Sequence, residues 1–347
     1  MSKATLHELL TDRDWLMADG ATGTNYFVQG LQAGDAPELW NIDYPDRVAG
    51  LHREFIACGA DIILTNSFGG SSSRLKLHGS EDRVLELNRA AAGLARQEAD
   101  AADRPVVVAA SIGPTGDLIE PLGKLSTADA ENIFADQVSA LAEGGADVIW
   151  LETMSSAEEL IAASLASSKT GLPVVATMTF DTNGRTMMGL SPEQLVETYR
   201  GNIPNVIAYG ANCGVGASEL VGTMLSMRAY ASDDEILVAK GKCGIPQFVD
   251  GEIVYDGTPA LMAEYACLVR DAGVRIIGGC CGTTPEHLLA MRTALETRPK
   301  ASPPTMEKVV TLLGPISDGA EKFYGAENKK EVDSGERVRE RRRRKRD

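Results

Sequence analysis

The chain has 347 residues, 44% apolar and 24% charged, enough for one large α/β barrel or two average domains. A net charge of −15 and only 5% aromatic residues argue against a general nucleic-acid binder, which needs a basic surface and stacking rings. Met1–Trp15 lacks the apolar core of a signal peptide and no apolar run approaches the ~18 residues of a membrane span, so a cytoplasmic protein without a membrane partner is expected.

Eight apolar, β-branched runs follow one another along the chain: Trp15–Gly20, Ala60–Thr65, Pro105–Ile112, Ala146–Thr153, Pro173–Phe180, Val206–Cys213, Glu235–Gly241 and Val274–Cys280. Several are continuously apolar, the pattern of strands buried on both faces. Helical spacing fills the gaps at Asp46–Cys58, Asp82–Ala99, Thr127–Glu143, Ala157–Lys169, Pro192–Arg200, Ala217–Ala231, Thr258–Asp271 and Pro285–Thr297. Small-residue turns such as Gly144-Gly145-Ala146-Asp147 end a helix and start a strand at once. Eight strand–helix units within residues 1–300 predict an α/β fold of the (β/α)8 TIM-barrel type, with an open doubly wound sheet as the competitor. Residues 301–347 read as an extension, with an amphipathic piece at Met306–Leu313 and a short basic tail expected to be disordered. Glu336–Asp347 holds eight Lys or Arg against three acids, which leaves −20 on the rest.

In such a barrel the chemistry belongs at the C-terminal ends of the strands. Those ends are polar here: Asp19-Gly20-Ala21-Thr22-Gly23-Thr24, Thr65-Asn66-Ser67-Phe68, Ser111-Ile112-Gly113-Pro114-Thr115-Gly116, Glu152-Thr153, Asn212-Cys213 and Cys280-Cys281. Six cysteines occur. Cys58 and Cys267 lie in apolar helical patterns and read as core residues. Cys213, Cys280 and Cys281 fall on one rim, where three soft thiolates suit a zinc ion with its fourth position open. Adjacent residues of a regular strand face opposite ways, so Cys280 and Cys281 share an ion only if the strand has ended; Gly278, Gly279 and Gly282 allow that turn. A strained vicinal disulfide and two unrelated thiols are the alternatives. Asp19 and Glu152 suit an ammonium, and the glycine-rich turns a carboxylate. His287 follows Thr284-Pro285 and reads as a first-turn helix residue rather than a fourth ligand.

These motifs, with Met178-Thr179-Phe180-Asp181 and Gly278-Gly279-Cys280-Cys281-Gly282, resemble the homocysteine S-methyltransferase family over roughly residues 12–297. That family includes betaine–homocysteine methyltransferases and the homocysteine domain of cobalamin-dependent methionine synthase. The resemblance implies a (β/α)8 barrel with one Zn2+ on Cys213, Cys280 and Cys281 and the homocysteine sulfur as fourth ligand. It implies Asp19 and Glu152 on the substrate amino group and backbone N–H groups at Gly20 and Ala21 on its carboxylate, with Ser111 and Asn212 counted in the same substrate site. The thiolate would then attack a methyl group to form methionine.

The Gly282-Thr283-Thr284-Pro285-Glu286-His287 run looks more like methionine synthase, which implies a methylcobalamin donor carried by a separate corrinoid protein. A betaine-like or sulfonium donor is the alternative; Trp40, Tyr44 and Phe68 are then the candidate aromatic faces, although Gly69 stands where betaine enzymes carry a zinc-capping tyrosine. After strand 7 this chain has Gly241-Lys242-Cys243-Gly244 where methionine synthase has a Pro-Asn-Ala-Gly-like turn, so Cys243 is placed near the site but not counted as a ligand. A zinc-binding scaffold without turnover is the reading of another class.

Overall fold

Continuous apolar strands need cover on both faces, and closure into a ring of strands inside a ring of helices provides it. The computed structural model describes residues 4–244, 246–249 and 252–325. All eight expected strands are present: β1 (Leu16–Met17), β2 (Ile62–Leu64), β3 (Val107–Ile112), β4 (Val148–Met154), β5 (Val174–Met178), β6 (Val206–Cys213), β7 (Leu237–Gly241) and, after an antiparallel hairpin of β8 (Pro246–Val249) and β9 (Glu252–Tyr255), β10 (Ile276–Gly279). The main sheet is parallel, in the order β1-β10-β7-β6-β5-β4-β3-β2. In chain order the helices are α1 (Leu6–Asp12), α2 (Gly23–Val28), α3 (Trp40–Asp43), α4 (Pro45–Ala57), α5 (Ser72–Leu75), α6 (Val84–Ala101), α7 (Thr127–Glu143), α8 (Ala157–Ser168), α9 (Pro192–Asn202), α10 (Ala217–Tyr230), α11 (Pro259–Asp271), α12 (Pro285–Thr297) and α13 (Met306–Leu313). The fold is the expected (β/α)8 barrel; the hairpin between β7 and α11 was not foreseen.

β1 is shorter than the run Trp15–Gly20 suggests, and side chains complete the ring where its ladder is thin. Between β1 and β2 there is one bridge, Ala18 to Ile62, flanked by Asp61 N–H to Met17 O (2.7 Å) and Asp19 N–H to Ile62 O (3.0 Å). Two carboxylates add to it: Asp61 Oδ2 accepts the Met17 N–H at 2.9 Å, and Asp19 Oδ2 accepts the Leu64 N–H at 2.7 Å. One acid therefore sits at each end of this seam. Asp61, at the N-terminal face, is held by Arg13 (2.6 Å), Arg292 (3.0 Å) and Arg104 (3.4 Å). Asp19 lies at the opposite, C-terminal face.

Alternation along the strands sorts the core into two layers. Leu16, Leu64, Val107, Ala109, Trp150 and Val238 fill the lumen, while Met17, Ile63, Val108, Ala110, Leu151 and Ala239 pack outward under the helices. Leu6, Leu9 and Leu10 of α1 close the bottom of the lumen. That helix starts with a capping box, Thr5 accepting from Glu8 N–H and Glu8 from Thr5 N–H.

The chain beyond residue 300 continues onto the barrel. Val309, Leu313, Ala320 and Tyr324 are buried, α13 packs on α10 and α11, and residues 318–325 are helical. Ser317 N–H donates to Glu219 Oε1 (2.9 Å), and the Tyr324 hydroxyl donates to Glu219 O (3.0 Å). The basic segment Glu336–Asp347 lies outside the described residues. Among the described residues no helix is long and apolar enough to cross a membrane.

Candidate metal centre and substrate cavity

Cys213 ends β6 and Cys280-Cys281 follow β10; β7 lies between those two strands. Their sulfurs converge, with 3.8 Å between Cys213 Sγ and Cys281 Sγ and 4.0 Å between Cys280 Sγ and Cys281 Sγ. All three lie within 4.8 Å of one another. Sulfurs bound at about 2.3 Å around a tetrahedral zinc stand roughly 3.8 Å apart, so the two pairs that Cys281 makes are at the spacing of such an ion and the third sulfur pair is within 4.8 Å.

Backbone turns create the convergence. Cys213 has φ 61°, in the left-handed region, which takes its side chain out of strand alternation. Cys280 and Cys281 lie just past the end of β10, as sharing one centre requires. Gly282 then turns with φ 81°, and the Tyr255 ring packs where its Cβ would be. Three backbone bonds fix the turn: Cys280 N–H to Gly241 O (2.7 Å), Cys243 N–H to Cys281 O (2.9 Å) and Thr283 N–H to Cys280 O (3.0 Å). Cys243 is thus beside the site through its backbone, while its thiol turns to Gly257 O at 3.2 Å.

The three thiols do not hold their protons equally. Hydrogen bonds from Cys213 and Cys280 push Cys281 down to about 3, against burial. Hydrogen bonding with Cys280 and Cys281 pushes Cys213 far up. Cys280 is lowered by Cys213 but raised more by Cys281 and by burial, to about 12. The donor set is soft, clustered and already inclined to carry a thiolate, which fits a zinc-class ion.

A cavity of about 460 Å³ opens from the cysteines toward the loops after β1 and β2. Glu152, Ser111, Gly20 and Ala21 line it, as expected for substrate contacts. Ser111 Oγ donates to Glu152 Oε1 at 2.5 Å. Burial pushes the Glu152 carboxyl up to about 7, with the Lys240 ammonium opposing that shift. Ala21 has already committed its N–H to Thr283 O at 3.0 Å, so this donor is not open to a carboxylate.

Asp19 and Asn212 stand behind the cavity wall. Asp19 Oδ1 accepts from Lys240 Nζ at 2.7 Å while Oδ2 holds the Leu64 N–H; both Asp19 and Lys240 are buried, and Lys240 borders the cavity. Asn212 is fully buried. Its Oδ1 accepts from Thr153 N–H (2.8 Å) and Thr177 Oγ1 (2.8 Å), and its Nδ2 donates to Thr153 Oγ1 (2.7 Å) and lies 3.8 Å from Cys280 Sγ. It therefore locks the irregular end of β4, where Thr153 has φ 62°, one residue after Glu152.

Sequence reasoning missed Lys240 and Tyr255. Lys240 ends the apolar run Leu237-Val238-Ala239, and a lysine there reads as a solvated rim residue; its acid partner is distant in sequence. Tyr255 arrives on the unforeseen hairpin and borders the cavity beside Cys281. Of the expected aromatic faces, Phe68 lines the cavity, joined by Phe27. Trp40 and Tyr44 instead pack on each other at 5.1 Å under the Arg47 guanidinium. His287 is the expected first-turn residue: Nδ1 pairs with Thr284 Oγ1 at 2.7 Å and Nε2 lies 3.0 Å from Gly257 O. Cys267 is buried and Cys58 half-buried against the core.

Comparison with known proteins gives the same picture. Residues 16–295 match the family described as homocysteine S-methyltransferase. A methionine synthase of Mycobacterium tuberculosis (strain ATCC 25618 / H37Rv) is 28% identical over 296 residues, which is 81% of this chain and 24% of that protein; the chain spans about a quarter of this relative's length. Among solved structures, the homocysteine methyltransferase MmuM from Escherichia coli in its metallated form superposes with a TM-score of 0.70 at 23% identity, covering 83% of this chain and 99% of that one. Its oxidized form gives 0.68 at 24% identity, covering 83% and 98%.

Proposed function

The chain belongs to the homocysteine S-methyltransferase family, and on that premise we propose that it methylates homocysteine to methionine with a zinc ion on Cys213, Cys280 and Cys281. The observation that carries this reading is the cluster of three sulfurs within 4.8 Å of one another, beside a cavity walled by the buried Glu152. When bound, zinc lowers the pKa of the substrate thiol, so that the sulfur is present as a nucleophilic thiolate at neutral pH.

The chain's own residues do the rest. Glu152, oriented by Ser111, takes the substrate ammonium, and that cation favours the ionised carboxylate. Asn212 holds the β4 bulge and so keeps Glu152 aimed at the cavity. Tyr255, packed over Gly282 and beside Cys281, gives the reacting sulfur an apolar neighbour. In the transfer a C–S bond forms as the bond from methyl to donor breaks, and the donor leaves with that electron pair. Positioning of the two reactants is the protein's main contribution.

For the donor, the cavity favours a small methyl onium, a betaine or a sulfonium. Phe27, Phe68 and Tyr255 present ring surface to a compact organic cation in this cavity, where Asp35 and Glu38 stand together with Arg74 and His78. A methylated corrinoid on a separate protein is the second reading, supported by the match to methionine synthase. Purified, zinc-assayed protein supplied with homocysteine and one donor at a time separates the two. Methionine from a small onium alone is expected. Methionine only with a methylated corrinoid would establish the second reading, and bound zinc without homocysteine binding would leave a scaffold.

A further inference from the structure

We propose that Lys240 is a specificity residue that binds the carboxylate of the amino-acid substrate, in the same cavity where Glu152 takes its ammonium. The inference rests on the reading above that the ligand is an amino-acid thiol. A pattern of two acids for one ammonium predicts Asp19 and Glu152 side by side in the cavity. The structure instead puts an acid and a base in the wall: Glu152 and Lys240. Asp19 is the layer behind, with both oxygens already accepting from the protein.

Burying an ammonium is costly unless it is paired, and Lys240 is 2% exposed. Asp19 provides that pairing at 2.7 Å, and the Trp150 ring lies 5.7 Å from Nζ. An ammonium has three donors, and Asp19 Oδ1 takes one. Strand register sets Lys240 beside Asn212 on one side and Gly278 on the other, next to the cysteine-bearing ends of β6 and β10. The other basic side chains of the cavity, Arg74 and His78, belong to α5 and the turn after it, on the loop that follows β2. Ala21 cannot serve the carboxylate while Thr283 holds its N–H. An acid and a base fixed in one cavity match the two charges of a zwitterion, whereas two acids match only one of them.

The test compares L-homocysteine with 3-aminopropane-1-thiol, which lacks only the carboxylate, in direct binding to the zinc-loaded protein. The wild type is expected to bind homocysteine tighter by roughly 30-fold or more, the ratio typical of a lost buried charge pair. Lys240→Met should bring the ratio to within roughly 3-fold, with zinc content and affinity for the aminothiol unchanged, and Lys240→Arg should retain most of the preference. Because Lys240→Met leaves Asp19 unpaired, the neutral pair Asp19→Asn with Lys240→Met is measured alongside and should show the same compressed ratio. Equal binding of the two thiols by the wild type overturns the proposal without any variant. Equal weakening of both thiols in the variants, or loss of zinc, also overturns it and makes Lys240 a structural partner of Asp19. If the wild type binds neither thiol, the amino-acid reading itself falls and takes this inference with it.

Discussion

Replacing Asn212 by alanine tests how the site is held. The side chain makes three hydrogen bonds of 2.7–2.8 Å, to Thr153 N–H, Thr153 Oγ1 and Thr177 Oγ1. At about 1 kcal/mol net each, their loss costs about 3 kcal/mol. Thr153 sets the direction of the response, because a β-branched residue at φ 62° is strained by about 1–2 kcal/mol and Asn212 holds it there from two sides; release of that strain offsets part of the cost. With the clamp gone, β4 relaxes toward regular strand and Glu152 turns away from the cavity. For a barrel of this size the melting temperature should fall by about 5 °C. KM for homocysteine should rise about tenfold or more, with zinc content retained. Adding Thr153→Gly should recover about 1 kcal/mol in the Asn212→Ala background, because glycine adopts positive φ freely. Thermal melts of the single and double variants, with KM for each, give the coupling between the two sites. A stability loss under 1 kcal/mol with unchanged KM would refute the clamp.

Other outcomes follow from the same geometry. Cys213→Ala should reduce bound zinc from about one equivalent to near none while the far-ultraviolet spectrum stays that of a folded α/β barrel; retained stoichiometric zinc would refute the ligand assignment. His52 is buried, which lowers its pKa from 6.5 to about 4 despite Asp19 nearby. The unfolded chain thus takes up this proton first, and folding stability should drop by about 3 kcal/mol between pH 6.5 and 4, without further loss from this group below that window. A flatter denaturation profile in His52→Leu checks the assignment. Tyr324→Ala should cost about 3 kcal/mol, since a buried aromatic ring and its hydrogen bond to Glu219 O are both lost; a melt within 1 °C of wild type would show the segment after α13 to be dispensable.

The barrel was legible because its strands are apolar on both faces and because glycine turns at Gly59, Gly144-Gly145, Gly171 and Gly273 mark four of the helix-to-strand joints. The three cysteines were legible for a different reason: strand polarity alone puts all their ends on one rim. What escaped the reading were pairings that no local pattern carries. Lys240 looks like a solvated strand end until Asp19, from the other end of the chain, is seen to hold it inside. Asn212 reads as a cavity residue by position, but strand-end residues face the wall or the cavity according to a bulge at Thr153 that sequence does not mark. The β8–β9 hairpin lies between the expected strand Glu235–Gly241 and the helical stretch Thr258–Asp271, where the sequence pattern suggests no element, and Tyr255 comes with it. Trp40 and Tyr44 show the reverse error, since their aromatic character suggested a ligand and their neighbours are Tyr26 and Arg47.

The thin seam between β1 and β2 makes the first strand a keystone. Its two ladder residues reach β10, near the far end of the sequence, and its only bridge to β2 is Ala18 to Ile62. Asp19 reaches its place under Lys240 only once that keystone is set. A chain with its ring still open at this seam would keep β1 on β10, where Gly279 N–H donates to Asp19 O, and so keep Asp19 beside the strand that bears Lys240; what closure adds is the bond from Leu64 N–H to Asp19 Oδ2, which fixes the carboxylate from its second side.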